Sequence, residues 1–124
     1  MKKVLYLFIL TVLLMSCYNQ ERNCTNFKTG KFESEYIIDG EKKTTVFIRT
    51  DSLEIETYEG KTDTATVRWV NDCEYVLRKM NPKNMQEEKA VDMKILTTNG
   101  DTYTYEFSIV GDKQKLKGIA TKIN

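Results

Sequence analysis

The chain has 124 residues, with 19 basic against 18 acidic side chains and a formal net charge of +1. That length suits one modest domain, and the balanced charge offers no basic surface for nucleic acid. Histidine is absent, which removes the commonest general base near neutral pH and the commonest metal ligand.

Met1-Lys2-Lys3 precede an apolar run from Val4 to Met15, followed by Ser16-Cys17. A transmembrane helix needs about 20 apolar residues, so this run is too short to span a bilayer. It suits the apolar region of a secretory signal. Leu14-Met15-Ser16-Cys17 resembles the lipobox of bacterial lipoproteins. The resemblance implies a signal peptide over 1–16 and a mature chain starting at Cys17. The Cys17 thiol would carry diacylglycerol, and its amine would be acylated, with palmitate as an expected chain. One myristoyl chain binds membranes only marginally, at about 10⁴ M⁻¹, whereas two or three chains anchor stably. An ordinary secretory signal with a coincidental cysteine is the alternative. Without the leader the balance becomes 17 basic to 18 acidic, a net charge of −1. Tyr18, not Asp, follows Cys17, so the expected address is the cell envelope, at the outer membrane.

From Tyr18 to Phe27 the sequence is polar and aperiodic, so a tether is expected over 17–27 and a β domain over 28–124. The Asn23-Cys24-Thr25 sequon carries no weight in a bacterial lipoprotein. Beyond the tether the pattern turns to period two. Phe32, Tyr36 and Ile38 share a face of a strand that ends at Asp39-Gly40, a type I′ hairpin signal. Thr44, Val46 and Ile48 share one face of the return strand, with Lys43, Thr45 and Arg49 on the other. After Asp51-Ser52, the residues Leu53, Ile55 and Thr57 alternate with Glu54, Glu56 and Tyr58, and Glu59-Gly60-Lys61 turns the chain.

Ala65, Val67 and Trp69 mark a fourth strand, and Cys73, Tyr75 and Leu77 a fifth. Asn81-Pro82 with nearby acidic residues predicts one short helical turn or a loop, with Asn81 as the candidate cap. Val91, Met93 and Ile95 lead to Asn99-Gly100, the strongest hairpin signal of the chain. Tyr103, Tyr105, Phe107 and Ile109 form the most apolar face, and Leu116, Gly118 and Ala120 the last.

Eight strands joined by tight turns predict an all-β, antiparallel up-and-down meander. Closure into a small barrel would hide one face and both edges. An open, strongly curved sheet packed on the Pro82 segment is the alternative. With Cys17 assigned to lipid, Cys24 and Cys73 remain. In an oxidising compartment they read as a disulfide closing a loop of about 50 residues, worth about 4 kcal/mol by loop-closure entropy. Two separate buried thiols would be the other reading. Without histidine or Cys-x-x-Cys spacing, neither a metal site nor a cofactor is expected.

Gly30-Lys31-Phe32 opens the first strand roughly where lipocalins carry a Gly-x-Trp signature. The stretch from Trp69 through Cys73 and Tyr75 to Leu77 is similar to a Trp-x-x-x-Cys-x-Tyr-x-Leu element. That element is seen in small lipocalin-like lipoproteins of the Bacteroidetes and flavobacterial type. The resemblance implies a lipocalin-like barrel over the whole mature domain. Its motifs are structural, marking a hairpin between middle strands and no active site.

Ser34, Ser52 and Ser108 stand in no nucleophile motif, and no Gly-rich phosphate loop opens a helix. Glu54, Glu56 and Glu59 could be read as paired carboxylates for glycoside chemistry. Their alternation with Leu53 and Ile55 reads instead as a solvated outer face. Arg49, Arg68 and Arg78 read as surface charges, and Lys113, Lys115 and Lys117 as a charged face on an end strand. Trp69, Tyr75, Tyr103, Tyr105 and Phe107 either line a cavity for a small apolar ligand or fill a narrow barrel. The expected protein is a non-enzymatic module, tethered to the membrane by lipid, that binds a small apolar ligand, a lipid or an envelope partner. The alternative is a structural or assembly lipoprotein acting through protein–protein contacts.

Overall fold

Period-two patterning over residues 30–122 folds into eight antiparallel strands in the computed structural model, which describes residues 22–124. They are β1 (Gly30–Ile38), β2 (Glu41–Arg49), β3 (Leu53–Tyr58), β4 (Lys61–Asn71), β5 (Glu74–Lys79), β6 (Val91–Asn99), β7 (Thr102–Ile109) and β8 (Leu116–Lys122). Each pairs with its neighbour in sequence, and β8 returns to β1, so the meander closes into a barrel rather than an open curved sheet. Closure leaves no strand edge to pair with another chain.

The turns follow local chemistry. Asp39 and Gly40 both have positive φ, at 52° and 79°, as a type I′ hairpin requires. At the Asn99-Gly100 signal, Asn99 pairs with Thr102, and the loop is Gly100-Asp101. Gly100, at φ 58°, then occupies the first central position, the pattern of a type II′ turn. Register slips at Trp69/Asn71 and Ile95/Thr97 interrupt two otherwise regular ladders.

The even-numbered turns, at residues 50–52, 72–73 and 100–101, gather with the start of β1 and the end of β8 at one end of the barrel. That end is closed by a 3₁₀ helix at Cys24–Phe27, with Cys24 and Phe27 buried against Phe32, Phe47, Ile95 and Tyr103. The stretch expected to be tether through Phe27 therefore includes the barrel's plug. Phe27 and Cys24, the buried side chains of this otherwise polar segment, dock it. Cys24 is bonded to Cys73, with Cα atoms 5.2 Å apart and a sequence separation of 49. Arg22 donates to the Ile95 carbonyl at 3.0 Å, and the Asn23 amide to Thr98 Oγ1 at 2.8 Å.

At the opposite end, the β5–β6 connection carries Pro82. The segment forms a hydrogen-bonded turn over residues 85–88, with the Lys89 amide donating to the Gln86 carbonyl at 3.3 Å, and no helix; among the described residues the 3₁₀ segment Cys24–Phe27 is the only helix. Asn84, not Asn81, accepts the Glu87 amide at 2.9 Å, and Glu87 in turn accepts from the Lys83 amide at 2.6 Å. These side-chain bonds satisfy two backbone amides of the connection locally.

Cross-strand register decides which face of each strand looks inward. Phe32 pairs with Phe47, and Arg49 with Glu54, so Thr45, Phe47 and Arg49 face the lumen together with Glu54 and Glu56. Val46, Ile48, Leu53 and Ile55 lie outside. In β2 and β3 the inner face is thus the more polar of the two, because Phe47 brings Arg49 inside and Arg49 brings Glu54.

Candidate functional site

Arg49 forms the floor of the lumen and is 1% exposed. Its Nε and Nη2 donate to Glu54 Oε1 at 3.1 and 2.9 Å, and Nη1 donates to the Phe27 carbonyl at 2.7 Å. Nη2 also donates to the hydroxyls of Tyr75 and, at 3.2 Å, Tyr103. The guanidinium lies 4.3 Å from the Tyr75 ring centroid and 5.1 Å from those of Phe32 and Phe47. A charge so deep is tolerated only when paired and fully hydrogen-bonded. Burial opposes the charge of Arg49, but Tyr75, Tyr103 and Glu54 outweigh it and keep the guanidinium protonated. Burial pushes the Glu54 carboxyl up from its ordinary range, against the pull of Arg49.

Above this floor lies a cavity of about 200 Å³ lined from six strands. Tyr36, Tyr105 and Phe107 form one wall, with Phe107 centroids 5.6 and 5.8 Å from Tyr36 and Tyr105. Leu77, Val91 and Met93 form another, and Glu54 and Glu56 supply carboxylates. The Tyr105 hydroxyl is hydrogen-bonded to Ser34, and its ring lies where a Cβ on Gly118 would collide with it. Glycine at 118 therefore makes room for the aromatic wall.

A second hollow of about 300 Å³ adjoins the first through Glu54, Glu56, Leu77 and Val91 and runs out beneath the β5–β6 connection. There Lys79 Nζ bridges Glu87 at 2.8 Å and Asp63 at 3.5 Å. Glu56 joins no ion pair among the described residues. Burial raises its carboxyl above the ordinary range, the charges of Glu54 and Asp63 add to that, and Lys79 opposes it.

The structure gathers most of the aromatic candidates at this site and redistributes the charged ones. Tyr75, Tyr103, Tyr105 and Phe107 line the cavity. Trp69 does not; it sits at the closed end, 4.6 Å from the Tyr75 ring and beneath the Lys28 ammonium at 5.1 Å. Glu54 and Glu56 are not on a solvated outer face, and Arg49 is not a surface charge. Glu59 is exposed in the β3–β4 turn, and Arg68, Arg78, Lys113, Lys115 and Lys117 are exposed as expected. Cys17 and the expected signal peptide, 1–16, lie outside the described residues. Among the described residues, no helix is long and apolar enough to cross a membrane.

Fold and site together define a small up-and-down β-barrel with a sealed floor and an open, aromatic and acidic lumen. The chain matches no protein-family model, no curated protein and no solved structure.

Proposed function

We propose that the protein is a non-enzymatic lipoprotein of the bacterial cell envelope, similar to small lipocalin-like lipoproteins. It would be held at the outer membrane by lipid on Cys17 and bind one small apolar ligand in its lumen. The observation that carries the ligand reading is the cavity above Arg49, where Tyr36, Tyr105 and Phe107 face Leu77, Val91 and Met93 across open space. A concave, mostly apolar hollow with a few convergent polar groups is how small-molecule sites are built. The anchor rests on Leu14-Met15-Ser16-Cys17 behind a basic and apolar leader. A non-catalytic role rests on the lack of histidine in the whole sequence and of a nucleophile beside a base.

Native mass spectrometry of protein purified from its own cells tests this reading. A small molecule should co-purify and leave on unfolding. Recovery of bare protein alone would favour a role played through the outer surface, where Ile37 and Ile119 stand half or more exposed on neighbouring strands.

A further inference from the structure

We propose that the lumen selects a small primary amine, its ammonium on Glu56 and its apolar body against Tyr105 and Phe107. This rests on the ligand reading above and names the ligand's chemistry. The lumen's charges decide its preference. Arg49 is fully engaged by Glu54, the Phe27 carbonyl and two tyrosines. Lys79 is held by Asp63 and Glu87, and Lys43, at the mouth, is held by Glu41 at 3.0 Å. Lys89 borders the outer hollow but is exposed to water. An anionic ligand would thus meet no uncommitted cation inside.

A cation meets the opposite situation. Among the described residues Glu56 has no ion-pair partner, and both Arg49 bonds to Glu54 end on Oε1, although Glu54 also lines the cavity. A half-buried carboxylate with no partner gains a charge-assisted hydrogen bond when an ammonium arrives. The neighbouring tyrosine faces add cation–π attraction. Size restricts the ligand further. The inner cavity, about 200 Å³, holds about six or seven waters at roughly 30 Å³ each, which suits one substituted ring or a short chain, and a longer body would have to run on into the adjoining hollow of about 300 Å³.

Calorimetric titration of the full mature protein with 2-phenylethylamine, 2-phenylethanol and phenylacetate tests the assignment, because the three differ chiefly in the charge of one end. The amine should bind at least about tenfold tighter than the alcohol, the worth of one hydrogen bond to a charged group, with phenylacetate weakest. In Glu56→Gln the amine should fall to the affinity of the alcohol, while the alcohol is unaffected. Equal binding of amine and alcohol by the natural protein, or an amine preference that survives Glu56→Gln, overturns the amine assignment and leaves the cavity reading standing. Failure of all three probes to bind overturns both.

Discussion

Arg49 is the residue on which the closed end is organised, and its role was hidden by the very alternation that revealed the strands. In Thr44–Arg49 both faces of the strand are plausible, since Val46 and Ile48 oppose Phe47 and Arg49. The usable signal was Phe47: a ring two residues from Arg49 shares its face, and Phe47 pairs across strands with Phe32 in the core. Arg49→Met should cost about 3–5 kcal/mol in urea unfolding, because Glu54 is left buried and unpaired. Adding Glu54→Gln should restore part of that loss; a single variant as stable as the natural protein would show that the pair does not hold the floor. Glu56 gives a pH signature of its own. Its folded carboxyl sits above the unfolded value, through burial and the charges of Glu54 and Asp63, with Lys79 opposing. The stability it contributes is complete below the unfolded value of about 4.3 and is lost as pH rises through the higher folded one. Thermal melts from pH 4 upward should therefore find Glu56→Gln gaining on the natural protein as pH rises, and parallel profiles would contradict this.

At the scale of elements, the strands and tight hairpins were legible because period two and Asp-Gly or Asn-Gly pairs act locally. Segments whose fate depends on distant partners were not. The 3₁₀ helix Cys24–Phe27 has no periodicity to announce it; Phe27 and Cys24 are drawn in by rings from β1, β2 and β7 and by Cys73 on the β4–β5 turn. The Pro82 connection had helix-start residues, but it forms a turn in which Glu87 and Asn84 accept the amides of Lys83 and Glu87. The disulfide ties plug to turn across a separation of 49 residues, for which loop-closure entropy gives about 4 kcal/mol. Cys24→Ala/Cys73→Ala should therefore lower the urea midpoint by a corresponding amount, and it should expose Phe27 to hydrogen exchange before the strands open. An unchanged midpoint would mean that apolar packing alone seats the plug.

For the whole molecule, meander and closure follow from eight adjacent strands that must hide a face and two edges, so the barrel was legible in outline. Its contents were not, because lumen polarity is set by register around the full circle. Glu54 and Glu56 look solvent-facing along β3 and become lumen-facing only when Arg49 is placed opposite. The anchor is tested on the same scale. Cys17→Ala should move the protein from the membrane fraction to the soluble fraction or halt its maturation. A variant still cleaved at the same bond and still sedimenting with membranes would remove the lipid from the account.

If Cys17 carries lipid as proposed, the plug also bears on which way the barrel faces. Cys24 lies at the floor and only seven residues beyond Cys17, a span of at most about 25 Å even fully extended. With lipid on Cys17, the floor would hang toward the bilayer and the lumen would open toward the aqueous side. The route into the site would then run through water rather than through the acyl layer, a direction of supply that suits a soluble cation better than a membrane lipid.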